Sequence, residues 1–170
     1  MKIISYLAFI FLMVRFNAEE QKPSTPDIQQ YCNTRFNYCL SYDSNIFNKF
    51  PPDKSQRGMT VADKTGKIFL ECYASNNPYK RSVEYLMKAN MEYLLRNEPS
   101  GLKRVIHQSK DENSYILNFE TGDTYFKQEL VMANKQFVVY TLRIPSKEKA
   151  VIEAALKTTR FVPNTLMASS

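Results

Sequence analysis

Four segments that resemble β-strands follow one another between residues 102 and 142, and they constrain the fold more than any other feature. They span residues 102–108, 114–120, 124–132 and 136–142. The connections between them, SKDEN, TGD and ANK, are short enough for hairpins, so the four segments predict an antiparallel meander. The last segment, QFVVYTL, is apolar on both alternating faces, which is typical of a strand that is covered on both sides.

Two helices and three further strands accompany this meander. The segment NNPYKRSVEYLMKANMEYLLRNEP predicts a helix with Asn77 as its cap, Pro78 in the first turn and Pro99 after its end. The segment PSKEKAVIEAALKTTRF predicts a second helix that is capped by Ser146. Before the first helix, RFNYCLSY predicts one strand, and MTVAD and KIFLECYA predict a hairpin around KTG.

The resulting order, βββ–α–ββββ–α, predicts an α/β (α+β) domain with a mainly antiparallel sheet of six to seven strands flanked by two helices. A sheet whose central strands are apolar on both faces needs a cover on both faces. One helix on each side therefore gives an α/β/α sandwich. The alternative places both helices on one face and leaves the other face for a partner.

The beginning of the chain predicts a secretory signal peptide. Lys2 precedes an apolar block from Ile3 to Val14, which is shorter than the roughly 20 residues that a membrane-spanning helix needs, and Ala18 is the candidate cleavage position. The expected organisation is a signal peptide, an exposed lead-in, a single α/β domain and a flexible tail, at residues 1–18, 19–31, 32–163 and 164–170. The mature protein is expected to be periplasmic or secreted, without stable insertion into a membrane.

The charge of the chain argues against nucleic acid as a partner. The formal net charge of +6 includes Lys2 and Arg15 of the leader, and the remaining charge is spread along the sequence. Nucleic-acid-binding proteins normally concentrate basic residues on one face. The segment NPYKRSVEY mixes basic and aromatic side chains, as single-strand binders do, but its spacing favours the first turn of a helix.

Three cysteines predict at most one internal disulfide, because disulfides persist in exported proteins and three is an odd number. If residues 35–42 are extended, Cys32 and Cys39 lie farther apart than the Cα separation of roughly 6 Å that a disulfide allows. We therefore predict a bridge between Cys39 and Cys72, with Cys32 as the alternative partner of Cys72. The absence of any bridge is the third alternative.

Residues that catalyse reactions or bind metals are sparse in this sequence. His107 is the only histidine, the four glycines are dispersed, and no C-x2-C or H-x3-H pair is present. The acidic residues between the predicted strands are explained by turn chemistry alone. We therefore predict no catalytic residue, no metal site and no cofactor, and we expect that the protein is not an enzyme.

Residues 43–58 predict a long loop that carries candidate contacts to a partner protein. The loop combines Phe47 and Phe50 with the basic residues Lys54 and Arg57. Loops of this length inside a compact domain are often functional. The alternative is that the aromatic residues fold back and cover the edge of the sheet.

Three segments of the chain resemble the PsbP-like fold group, which is named after an extrinsic photosystem protein and includes exported bacterial proteins of unknown role. CNTRFNYCLSYDSNIF is similar to the aromatic first strand of the group, DKTGKIFLECYA to its hairpin and VIEAALKTTRFVP to its closing helix. The resemblance implies a domain that acts by binding, as a subunit of an assembly, a chaperone or an adaptor. Function is a property of sites and not of the fold, so the implication is one of analogy.

The leading hypothesis is an exported, non-enzymatic domain that binds another protein, as an adaptor, an assembly subunit or an inhibitor or immunity-type protein. One alternative is a carrier that holds a small apolar ligand between sheet and helix, which needs an internal cavity. Another alternative is a small extracytoplasmic enzyme of unknown class.

Overall fold

The computed structural model describes residues 25–49, 57–133 and 135–162. Within these ranges the chain forms nine strands and two helices: β1 (Ile28–Asn33), β2 (Tyr38–Asp43), β3 (Gly58–Ala62), β4 (Phe69–Asn76), α1 (Val83–Arg96), β5 (Arg104–Lys110), β6 (Ser114–Glu120), β7 (Thr124–Ala133), β8 (Gln136–Pro145), α2 (Lys149–Thr158) and β9 (Arg160–Phe161). Both predicted helices, the predicted hairpin and all four strands of the meander are present. Neither helix in these ranges is long and apolar enough to cross a membrane.

Six of the strands form one antiparallel sheet in the order β3-β4-β8-β7-β6-β5. Short hairpins set the register of the last four strands, with Tyr115 opposite Leu130 in β6–β7 and Val131 opposite Val138 in β7–β8. The predicted meander is therefore confirmed. Strand β8 lies between β4 and β7, so its backbone is hydrogen-bonded along both edges.

Both faces of β8 are covered. Tyr140 and Leu142 are fully buried on one face, in an apolar cluster that includes Ala155 of α2. Val139 is fully buried on the other face, in a cluster that includes Leu86 of α1. The two helices therefore pack on opposite faces of the larger sheet, which confirms the predicted α/β/α sandwich and removes the apolar residues of both faces from water.

A second sheet, which the sequence pattern does not predict, has three strands in the order β1-β2-β9. Strand β1 begins at Ile28, inside the predicted exposed lead-in, and pairs antiparallel with β2. Strand β9 pairs with the other edge of β2, where Phe161 lies opposite Leu40. All six residues of β2 are buried, and Leu40 belongs to the same cluster as α2, so the small sheet packs on the α2 side of the domain.

The predicted pairing of the cysteines is wrong. Cys32 and Cys39 form the disulfide, with their Cα atoms 4.1 Å apart, and Cys72 is a buried free thiol in the core of the larger sheet. The chain reverses direction through residues 34–37 instead of remaining extended, and Asn37 adopts a left-handed conformation there with a φ of 50°. The reversal places Cys32 directly opposite Cys39 in the β1–β2 pair.

Both helices begin later than predicted. Helix α1 is capped by Ser82, whose hydroxyl oxygen accepts a hydrogen bond from the Tyr85 backbone N–H at 3.2 Å, whereas the predicted cap, Asn77, lies in the preceding loop. Helix α2 has Glu148 at its N-cap position, without a side-chain hydrogen bond. The predicted cap, Ser146, has a buried hydroxyl with no hydrogen-bond partner among the described residues. The segment before α1 is therefore a surface loop and not a first helical turn.

Candidate protein-binding surface

The structure places one of the predicted partner contacts in the core. Phe47 is fully buried, and its ring packs edge-on against Tyr42 with the centroids 6.4 Å apart. Its assignment as a partner contact is therefore wrong, because the side chain folds back into the domain. Phe50 and Lys54 lie outside the described residues. Arg57 is exposed, and its role in contacting a partner stays a prediction.

Asn77 fastens the loop before α1 to the turn between β7 and β8. This residue is buried, and its backbone N–H donates a hydrogen bond to the carbonyl of Lys135 at 2.6 Å. Its side chain forms two hydrogen bonds with the backbone of Arg81. Oδ1 accepts from the Arg81 N–H at 2.9 Å, and Nδ2 donates to the Arg81 carbonyl at 2.8 Å. One asparagine thus brings together two segments that are distant in the sequence.

The side chain of Arg81 contacts two exposed tyrosines. Its guanidinium carbon lies 5.6 Å from the centroid of the Tyr79 ring and 4.8 Å from that of Tyr85, and both distances are within cation–π range. Tyr79 is 80% exposed and Tyr85 is 49% exposed. Large aromatic side chains that cluster in water are typical of a contact surface for another molecule.

Two lysines extend this cluster. Lys80 precedes Arg81 in the loop, and Lys135 is held beside the loop through its backbone carbonyl. All three basic residues line one cleft, and none of them takes part in an ion pair within the described ranges. We call this set the basic aromatic surface: Tyr79, Lys80, Arg81, Tyr85 and Lys135.

Both lysines of the basic aromatic surface have a strained backbone. The φ angle is 50° at Lys80 and 63° at Lys135. Such left-handed conformations cost about 1–2 kcal/mol for a residue with a Cβ atom. The Lys80 N–H donates to the Asn77 carbonyl at 3.1 Å, and this bond and the one from Asn77 to Lys135 hold the two turns. Strained residues of this kind cluster at functional sites.

Sequence reasoning finds part of this surface but assigns it another role. The basic and aromatic residues of NPYKRSVEY are attributed to a first helical turn, whereas the helix begins at Val83. Tyr79, Lys80 and Arg81 therefore belong to the exposed loop that precedes α1. Lys135 carries no local pattern that links it to this loop, since only the pairing of β7 with β8 brings it there.

The histidine and the cysteines, which are the candidate residues for chemistry, do not form a catalytic site among the described residues. His107 is exposed on β5, Cys72 is buried, and burial raises the pKa of its thiol. Cys32 and Cys39 form a disulfide and therefore offer no thiol. In the part of the chain that the structure describes, no group of three or more His, Cys, Asp or Glu side chains could hold a metal ion. These residues do not assemble a thiol nucleophile with a histidine base.

An open groove between α1 and strands β4 and β8 bears on the ligand-carrier alternative. It consists of two adjoining cavities of about 220 Å³ and about 290 Å³. Polar and apolar side chains share its lining. A hydrogen-bonded chain runs from Tyr73 through Asn90, Tyr115 and Gln128 to Thr141, with successive lengths of 3.2, 2.9, 2.6 and 3.0 Å. A carrier of an apolar ligand needs a mainly apolar pocket that encloses most of the ligand, whereas this groove is open and has a mixed lining.

Comparison with known proteins identifies the fold. The sequence matches no protein-family model and no curated protein. The structure matches solved structures, among them the solution structure of cyanobacterial PsbP (CyanoP) from Synechocystis sp. PCC 6803. The TM-score is 0.54, the alignment covers 83% of this chain and 96% of that chain, and the sequence identity is 11%. At this identity the likeness concerns the fold alone, and it confirms the expected resemblance: this chain has a PsbP-like fold.

Proposed function

We propose that this chain is an exported, non-enzymatic domain that binds another protein through the basic aromatic surface. The observation that carries the proposal is the pair of exposed tyrosines, Tyr79 and Tyr85, each in contact with the guanidinium of Arg81. Tyr and Arg are among the side chains that dominate the binding energy of protein interfaces. They combine a large contact area with hydrogen-bonding groups, and an aromatic side chain loses little conformational freedom on binding.

The fold supports a binding role over a catalytic one. Proteins with the PsbP-like fold act mostly by binding, and the residues considered for catalysis do not share a site in the described ranges. The two apolar clusters are filled by aromatic and aliphatic side chains, so the distinguishing features of this domain lie on its surface. An adaptor, an assembly subunit or an inhibitor has this character.

The charge of the surface indicates the chemistry of the partner. Lys80, Arg81 and Lys135 carry three positive charges that no ion pair within the described residues neutralises. A matching partner therefore presents Asp and Glu residues around an apolar centre that covers the tyrosines. Such complementarity accelerates association and selects among partners. Because these charges are exposed, the affinity is expected to fall as the salt concentration rises.

Export is supported by the disulfide and by the predicted signal peptide. The Cys32–Cys39 bond is of a kind that persists in oxidising compartments and is rare in the cytosol. The apolar block near the N-terminus predicts targeting to the same compartments. The partner is therefore expected in the periplasm or outside the cell.

The proposal is tested by capture of the tagged protein from its own host, followed by mass spectrometry and a binding measurement with the protein that co-elutes. The wild type is compared with Tyr79→Ser and with Arg81→Ser. Arg81 holds the loop through its backbone, so truncation of its side chain leaves that anchor in place. Each variant is expected to weaken binding at least about tenfold, as hot-spot truncations do, with no change in melting temperature.

Tyr93→Ser is the matched control, because Tyr93 is also an exposed tyrosine of α1, at 63%, and lies outside the basic aromatic surface. It should retain the partner at wild-type stoichiometry. Equal capture by all variants would contradict docking at this surface. Elution of the wild-type chain without a stoichiometric protein would contradict the protein-binding function itself.

A further inference from the structure

A cleft of about 240 Å³ opens beside the basic aromatic surface. Lys80, Arg81 and Lys135 line it, together with uncharged residues that include Asn113 and Gln136. No Asp or Glu is among the described residues that line it. Three basic residues therefore line a small volume whose other described lining residues carry no charge.

The guanidinium of Arg81 is arranged to receive an anion. Its contacts with the rings of Tyr79 and Tyr85 restrict its position. Among the described residues no hydrogen bond or ion pair uses its side-chain N–H groups, and the group offers five such donors in a planar fork that matches the oxygen atoms of phosphate. Because the side chain is already restricted, it loses less conformational freedom when an anion binds.

The two lysines occupy turns that glycine would adopt with less strain. Their φ angles of 50° at Lys80 and 63° at Lys135 lie in the left-handed region. The hydrogen bonds that hold both turns use only backbone atoms of these lysines, so the turns do not require a charged side chain. Two lysines with a strained backbone line the same cleft, and this indicates that their positive charge has a function there.

We infer that this cleft binds a phosphate monoester group. Such a group carries between one and two negative charges near neutral pH and presents three strong acceptor oxygens, so one small group can contact all three basic residues, whereas an isolated carboxylate carries a single charge. The cleft is smaller than the roughly 300–1,000 Å³ of typical small-molecule pockets, so it fits one headgroup-sized anion. This ligand is a different chemical class from the protein partner, and the inference does not rest on the proposed function.

The test is an NMR titration of the purified protein with inorganic phosphate, with acetate and chloride at equal ionic strength as controls. The backbone amide signals of Lys80, Arg81 and Lys135 are expected to shift with a saturable dependence on phosphate at neutral pH. Acetate and chloride should give no saturable shift. Binding should weaken at mildly acidic pH, because the phosphate dianion takes up a proton and loses its second charge as the pH falls through its second pKa.

The Lys135→Gly variant distinguishes the effect of the side-chain charge from the effect of the backbone turn. The variant removes one cation and keeps the left-handed turn, so phosphate affinity is expected to fall about tenfold, while the melting temperature stays equal or rises. Asn37→Gly is the matched control, since Asn37 also has a φ of 50° but lies in the β1–β2 turn. It also places glycine at a left-handed position and should leave phosphate affinity unchanged.

Two further probes distinguish the sources of the phosphate group once inorganic phosphate binds. If glycerol phosphate shifts the same amide signals and the protein does not bind to vesicles, the ligand is a soluble phosphate ester. If the protein sediments with vesicles that contain phosphatidic acid, but not with phosphatidylcholine vesicles, the ligand is a lipid headgroup. The inference is overturned if phosphate produces no saturable shift, or if Lys135→Gly binds phosphate as tightly as Asn37→Gly.

Discussion

Replacement of Tyr115 by Phe tests how much the polar chain beneath α1 contributes to stability. Tyr115 is fully buried on β6. Its hydroxyl donates a hydrogen bond to Oε1 of Gln128 at 2.6 Å and accepts one from Nδ2 of Asn90 at 2.9 Å. Burial raises the pKa of this hydroxyl, so it remains a neutral donor at neutral and moderately alkaline pH.

The expected loss of stability comes only from these two hydrogen bonds, because the Phe ring keeps the apolar contacts of the Tyr ring. Gln128 is 2% exposed, so its oxygen is left buried without this donor, which costs about 1–3 kcal/mol. Asn90 is only half-buried, so water can replace the hydroxyl there, and the loss of this second hydrogen bond costs less. We expect Tyr115→Phe to lower the free energy of unfolding by about 2–3 kcal/mol and the melting temperature by about 5–10 °C.

Urea unfolding followed by circular dichroism measures this loss. Tyr93→Phe is the matched control, because Tyr93 is 63% exposed, and should change the free energy of unfolding by less than about 0.5 kcal/mol. The double variant Tyr115→Phe/Gln128→Met removes both partners of the Tyr115–Gln128 hydrogen bond. Its loss in the free energy of unfolding should be smaller than the sum of the losses of the two single variants. A loss below about 0.5 kcal/mol for Tyr115→Phe, or strict additivity in the cycle, would refute the reasoning.

Three further perturbations test other parts of the molecule. Gly58→Ala should severely destabilise the β3–β4 pair, because an added Cβ lies 1.8 Å from the backbone carbonyl oxygen of Cys72; a wild-type melting temperature would contradict this packing. Unreduced protein should show no reactive thiol when native and one, that of Cys72, when unfolded; three thiols before reduction would exclude the Cys32–Cys39 disulfide. Hydrogen bonds and charge from Lys110 and a second lysine lower the pKa of Glu84 from 4.5 to about 2. The stability that this carboxylate contributes is present above pH 4.5 and is lost as the pH falls toward 2. The melting temperature of Glu84→Gln should therefore lie closer to that of the wild type at pH 2 than at pH 6. An equal difference in melting temperature at both pH values would contradict the ion pairs of Glu84.

Local patterns determine most of the architecture of this protein. The turns TGD and ANK are too short for any connection except an antiparallel one, so the pairing of β6, β7 and β8 follows from their spacing. Val139 and Tyr140 are adjacent apolar residues on opposite faces of β8, which requires a cover on each side. These features depend on residues that are close in the sequence, and sequence reasoning could therefore predict them.

The cysteine pairing depended on one turn that sequence reasoning did not find. An extended segment separates Cys32 from Cys39, whereas a reversal at residues 34–37 places them opposite each other. The left-handed conformation of Asn37 makes this reversal, and Asn is one of the few residues that adopt it readily. Strand β9 has only two residues, too few to show a periodicity, so the second sheet could not be predicted either.

The sequence by itself determined the strand meander, the two amphipathic helices and the need for a cover on both faces of the sheet. Only the tertiary structure decided which basic residues share a cleft. Arg81 and Lys135 become neighbours because buried Asn77 hydrogen-bonds to the backbone of both, and because the β7–β8 hairpin ends beside this loop. Such a meeting depends on strand pairing and on hydrogen bonds between distant segments, which no local pattern of residues encodes.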